Sequence, residues 1–121
     1  MLIEFLKPDF SFEDARGSLV QLVHGGWEQV NVIRSRAGVL RGGHYHARST
    51  EAFYVVSGRF ELALEGLDSG EREEHCLKAG AFFRIRPGVL HSFHFLEETV
   101  LVSLYDRPVE GEGGTKDILT R

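Results

Sequence analysis

The sequence predicts an all-β domain, a sandwich or barrel of antiparallel strands, from three observations. Phe60, Leu62 and Leu64 alternate with Glu61, Ala63 and Glu65, the period of a strand with one buried face. Segments rich in β-branched and aromatic residues recur about every 8–12 residues, with glycine or proline between them. No stretch carries a helical period.

Residues 2–6, 19–23 and 29–34 read as the first strands from their leucine, isoleucine, valine and phenylalanine content. Residues 52–56 follow, and Ser57-Gly58 turns the chain into the alternating run 59–65. Glu65-Gly66-Leu67-Asp68-Ser69-Gly70 has the composition of a hairpin loop and returns a shorter strand over 73–77. Residues 82–85, 91–96 and 99–105 complete the set. Phe53, Phe60, Phe82, Phe83, Phe93 and Phe95 are the expected core, and Trp27 is expected at an interface or pocket wall. One domain covers residues 1–109. Residues 110–121 begin with Glu110-Gly111-Glu112-Gly113-Gly114-Thr115-Lys116 and are expected to be a flexible tail without a functional role.

A chain of 121 residues has room for one core and no second module. Its net charge of -4 argues against nucleic acid as a partner, because phosphate binding needs a basic face. Cys76 is the sole cysteine, which excludes an intramolecular disulfide and any CxxC motif. The first residues lack a basic flank, and nowhere do about 18 apolar residues run together. The expectation is a cytoplasmic protein that engages no membrane.

Chemistry concentrates in two segments. His44 and His46 lie two residues apart, so in an extended chain they project from one face while Tyr45 points away. Glu51 opens the next strand and can present a carboxylate beside them on pairing back, and Pro87-Gly88-Val89-Leu90-His91 offers a third imidazole. Three neutral nitrogens and one anionic oxygen suit a divalent cation. A single histidine on a strand is more often a core or surface residue, so the pattern carries the reading. His94 points opposite to His91, Phe93 and Phe95 and is not an expected ligand, and His24 and His75 are expected on the surface.

Gly38, His44, His46, Glu51 and Gly58, separated by five, one, four and six residues, resemble the first signature motif of the cupin superfamily. Gly80, Pro87-Gly88 and His91 resemble the second, although Arg86 stands where the family has its first proline and the asparagine that follows the histidine is absent. The resemblance implies a cupin-type double-stranded β-helix, a jelly-roll barrel, with His44, His46, Glu51 and His91 as ligands to a divalent ion such as zinc, nickel, manganese or iron. It also implies a homodimer formed through the sheets, for which residues 2–6 offer an apolar edge.

Asp14-Ala15-Arg16-Gly17-Ser18-Leu19, Arg41-Gly42-Gly43-His44-Tyr45-His46 and Phe53-Tyr54-Val55-Val56-Ser57-Gly58 resemble cupins of nucleotide-sugar and capsular-polysaccharide pathways. Among these, the sugar ketoisomerases are viewed as using their paired histidines for acid/base work without metal, with their glutamate one residue closer than Glu51, whereas the capsular domain holds zinc. The spacing sides with the metal-bound type. The implied function is a nucleotide-sugar epimerase or isomerase in which Arg16 and Arg41 bind substrate phosphate. The same ligands suit a metal-dependent dioxygenase of a small organic substrate, and the same barrel suits a non-catalytic cupin that binds a small ligand.

Overall fold

The computed structural model describes residues 1–110 and 116–121. Among them are twelve strands and no helix: β1 (Ile3–Phe5), β2 (Phe10–Asp14), β3 (Gly17–Gln21), β4 (Gln29–Ser35), β5 (Leu40–Tyr45), β6 (Glu51–Ser57), β7 (Arg59–Gly66), β8 (Arg72–Lys78), β9 (Phe82–Ile85), β10 (Val89–Phe95), β11 (Thr99–Tyr105) and β12 (Leu119–Thr120). Among the described residues no helix is long and apolar enough to cross a membrane. The strands build two five-stranded antiparallel sheets, ordered β1-β9-β6-β11-β4 and β12-β5-β10-β7-β8, with β2 and β3 as a separate hairpin. Each sheet interleaves strands distant in sequence, the winding of a jelly roll.

Alternation decides what lies between the sheets. Phe53 and Val55 of β6, Phe60 and Leu62 of β7, Phe83 and Ile85 of β9, and Phe93 and Phe95 of β10 pack there as the main core. Phe60, Phe83 and Phe95 are fully buried, each worth roughly 1.5–3 kcal/mol over leaving the ring in water. Phe82 is buried as expected, but outside this main core. It lies on the opposite face of β9, in a second cluster with Ala52 and Leu104 that Leu22, Val23 and Trp27 cover. Trp27 therefore seals this outer cluster.

Strands β2 and β12 were not expected, and β5 was expected only around His44 and His46. Gly42-Gly43 dilutes the β propensity of β5, and β2 carries Ser11, Glu13 and Asp14. Strand β12 lies within the stretch expected to be a flexible tail. Leu119 and Thr120 pair with Tyr45 and His44, Glu110 bridges Lys116, and Asp117 is 4% exposed. Residues 111–115 of the expected tail lie outside the described residues. Paired backbone and a buried carboxylate hold residues 116–121 against the barrel.

One contact holds the edge strand β1 against β8. The Glu73 carboxylate accepts the N–H of Leu2 at 2.5 Å and of Ile3 at 3.4 Å, and His75 Nε2 lies 3.0 Å away. His75, expected on the open surface, is partly buried and meets the Phe5 ring edge-on. Burial disfavours the Glu73 charge, but His75 and the two amides outweigh it and hold the carboxyl well below its ordinary 4.5. A carboxyl with a depressed folded-state pKa stabilises the protein above its unfolded pKa, and that stability is lost as pH falls through the folded value. Glu73→Gln is therefore expected to lower stability by about 1 kcal/mol at neutral pH and to flatten the decline below pH 4.5, as read by urea unfolding across pH.

Candidate functional site

Register brings the ligand-type side chains together. His44 of β5 stands directly opposite His91 of β10, and a bulge between His91 and Ser92 leaves Gly43 unpaired. The Gly43 N–H turns instead to Ser92 Oγ at 3.1 Å. Gly42 and Gly43 take φ of 106° and 72°, which a side chain resists, so the glycine pair lets β5 bulge at this point. His46 follows the end of β5, and Glu51 opens β6. The His46 carbonyl accepts the Gly88 N–H at 2.8 Å, which ties the first motif to the second.

The three histidines offer ligand nitrogens that all lie within 4.8 Å of one another. Glu51 Oε1 is 2.9 Å from His46 Nε2 and 3.6 Å from His91 Nε2, and Glu51 Oε2 accepts the Ser103 hydroxyl at 2.6 Å. His91 Nδ1 donates to the Val89 carbonyl at 3.0 Å, which leaves the lone pair on Nε2, a buried atom without a hydrogen-bond partner among the described residues. His46 repeats the arrangement, with Nδ1 donating to the Asp117 carbonyl at 2.6 Å. Imidazole lone pairs and a carboxylate oxygen thus face one another, and such a cluster requires a positive charge among them, either a proton or a metal ion. The orphaned His91 Nε2 and the mixed N/O donor set fit a divalent cation, with outer hydrogen bonds already orienting two ligands.

Electrostatics reflect this packing. Burial would raise the Glu51 carboxyl, but the two imidazoles beside it, His46 first, and the Ser103 hydroxyl hold it at about 2. Burial disfavours charge on His46, yet Glu51 and the Asp117 carbonyl raise its pKa. His44 is lowered, by burial first and then by its two neighbouring imidazoles. Tyr105, edge-on to His46 with ring centroids 5.3 Å apart, is pushed upward by burial and by Glu51, so it keeps its proton.

His44, His91 and Glu51 of the cluster line a cavity of about 220 Å³, together with Tyr105 and the apolar side chains of Ile33, Phe53, Phe93, Phe95 and Leu101. Arg41 also borders it, exposed, with Nη2 3.4 Å from the Arg34 carbonyl. Arg16 does not border it. Its guanidinium pairs with Asp14 at 2.7 Å on the tip of the β2–β3 hairpin, where its side chain is 86% exposed, because the tight turn favours that local pair. His94 and His24 are exposed and pair with Glu61 and Asp9, as alternation and position predicted. Sequence reasoning missed Tyr105, Ser103 and Asp117. Parity along β11 places Leu101, Ser103 and Tyr105 on one inward face and was a usable signal, whereas nothing in the sequence marked Asp117.

Solved structures share this architecture. A variant of the 3,4-ketoisomerase QdtA from Thermoanaerobacterium thermosaccharolyticum, in complex with TDP-4-keto-6-deoxyglucose, superposes with a TM-score of 0.82 at 19% identity, covering 99% of this chain and 88% of that one. The dTDP-4-dehydrorhamnose 3,5-epimerase from Sulfolobus tokodaii superposes with a TM-score of 0.71 at 23% identity, covering 87% and 75%. The fold is thus the cupin jelly roll. A curated relative, the UDP-2-acetamido-2,6-beta-L-arabino-hexul-4-ose reductase of Pseudomonas aeruginosa, is 32% identical over 81 residues. That match takes in 61% of this chain but spans only 22% of the reductase. Residues 12–105, which carry both histidine motifs and every strand from β3 to β11, match the polysaccharide biosynthesis C-terminal domain, and the chain belongs to that family.

Proposed function

We propose that this domain binds the sugar portion of a nucleotide sugar and moves a proton next to its carbonyl group, as an epimerase or isomerase, with a divalent cation held by His44, His46, Glu51 and His91. The observation that carries the proposal is the convergence of three imidazoles and Glu51, of which His44, His91 and Glu51 face a cavity bordered by Arg41. At about 220 Å³ the cavity is smaller than the roughly 300–1,000 Å³ typical of drug-sized ligands. It suits a sugar ring, with the diphosphate left outside for the Arg41 guanidinium. A bound divalent cation supplies Lewis acidity at a carbonyl oxygen. Tyr105 holds a proton that it can present to substrate oxygen, Ser103 fixes the Glu51 carboxylate, and Phe93 and Phe95 exclude water beside them. The nucleotide sugars in the names of the similar proteins support the substrate class.

Incubation with TDP- and UDP-linked 4-keto sugars in deuterium oxide is the test, read by NMR beside thermal shift and elemental analysis. The expected result is deuterium entering next to the carbonyl, with a divalent metal at about one equivalent per chain. Absence of both thermal shift and deuterium across the panel overturns the proposal, and oxygen uptake by iron-loaded protein replaces it with the dioxygenase.

We also propose a homodimer. Val30 and Val32 on the edge strand β4 are 59% and 65% exposed, and Phe10, Phe12 and Leu19 leave both strands of the β2–β3 hairpin with exposed apolar side chains. A lone hairpin is marginally stable in water. The N-terminal edge is less available, because Glu73 already takes the Leu2 and Ile3 amides. Sedimentation is expected to give a dimer that Val32→Lys dissociates, and a monomeric wild type overturns this.

A further inference from the structure

The described end of the chain reaches His46 at Asp117. Asp117, 71 positions beyond His46, accepts the His46 Nδ1 hydrogen on its backbone carbonyl at 2.6 Å. Its carboxylate accepts the backbone N–H groups of Ala47 at 2.7 Å, Arg48 at 2.9 Å and Ser49 at 2.8 Å. These amides form the turn between β5, which carries His44, and Glu51 at the start of β6. Asp117 is itself anchored, its N–H donating to the Val109 carbonyl at 2.7 Å, and β12 beyond it pairs with Tyr45 and His44. A buried carboxylate facing several convergent amides is a strong clamp, since each charge-assisted bond exceeds a neutral one.

We infer that Asp117 is a positioning residue for the site: its carboxylate fixes the 47–49 turn and thereby its own carbonyl against His46, which locks His46 as the Nδ1–H tautomer with the Nε2 lone pair facing Glu51. Without the clamp the carbonyl moves away, the imidazole is free to rotate or change tautomer, and Nε2 no longer stands where Glu51 and His91 meet. Loss of such an outer partner lowers metal affinity by about 10–100-fold in other metal proteins. The affinity readout rests on the proposed cation site, whereas the tautomer readout does not.

The test compares full-length wild type, Asp117→Ala, Asp117→Asn and Arg121→Ala. Arg121→Ala breaks the separate pair with Glu65 and so loosens the chain end without touching the clamp. Imidazole nitrogen NMR of metal-free protein at alkaline pH reads the His46 tautomer, and cobalt titration reads affinity. Expected are a single Nδ1–H tautomer in wild type and Arg121→Ala, mixed tautomers in Asp117→Ala, and cobalt affinity lower by about tenfold or more in Asp117→Ala alone. Asp117→Asn, which keeps one accepting oxygen, is expected to fall between, and it carries the test if Asp117→Ala does not fold. An unchanged His46 tautomer in a folded Asp117 variant overturns the inference, as does an equal affinity loss in Arg121→Ala. Mixed tautomers in Asp117→Ala, with no cobalt bound even by wild type, sustain the positioning role and overturn the cation site instead.

Discussion

His91→Ala protein is expected to lose divalent-cation binding by at least about 100-fold, together with the stabilisation the cation confers. The bound is conservative, because removing an outer partner of a ligand costs up to about that much and His91 is proposed as a ligand itself. Its Nε2 is buried, without a hydrogen-bond partner among the described residues and 3.6 Å from Glu51, while its Nδ1 is held by Val89, so the ring's other nitrogen cannot take its place. A cation present at 1,000 times its dissociation constant adds about 4 kcal/mol to stability. Chelation should therefore lower the melting temperature of wild type and leave His91→Ala unchanged. Wild-type affinity should also weaken as pH falls, since Glu51 and the Asp117 carbonyl help His46 hold a proton that the cation must displace. Calorimetric titration with zinc at several pH values checks both statements, and equal affinity in the two proteins would remove His91 from the ligand set.

The strands of the two sheets were legible where burial imposes a period. Phe60, Leu62 and Leu64 alternate because β7 has one wet face, and the run survives intact in the structure. His44, His46, Glu51 and His91 were legible for a related reason: a site between two sheets must be assembled from inward positions, and inward positions recur at fixed parity. What escaped has other causes. Strand β5 is carried by glycines whose value lies in a bulge, and a propensity reading counts them against a strand. Arg16 stands apart from the cavity for a local reason, since Asp14 two residues away pairs with it within the turn. Asp117 acts through a carbonyl and a side chain brought back across 71 residues, and long-range closure of that kind leaves no local trace.

The bulge gives the second large effect. Gly42→Ala is expected to cost about 2–5 kcal/mol and to abolish cation binding, whereas Gly43→Ala should cost only about 1–2 kcal/mol. Both residues adopt positive φ, so both substitutions carry the conformational penalty of an L side chain there. They differ in what the new methyl meets. At Gly42 it would lie 2.5 Å from the His91 carbonyl oxygen and 2.9 Å from Ser92 Cα, both backbone atoms in the neighbouring strand. At Gly43 nothing lies within 4 Å. Backbone cannot rotate aside as a side chain does, so β5 must separate from β10, and the pair pushed apart includes His44 and His91. Urea unfolding of the two metal-free variants isolates the clash, since their conformational costs are similar, and cobalt binding reports whether the imidazoles still meet. Equal losses in both variants would mean that the glycines are needed for their φ alone, whereas a Gly42-specific loss of both stability and metal shows that close approach of β5 to β10 is what assembles the site.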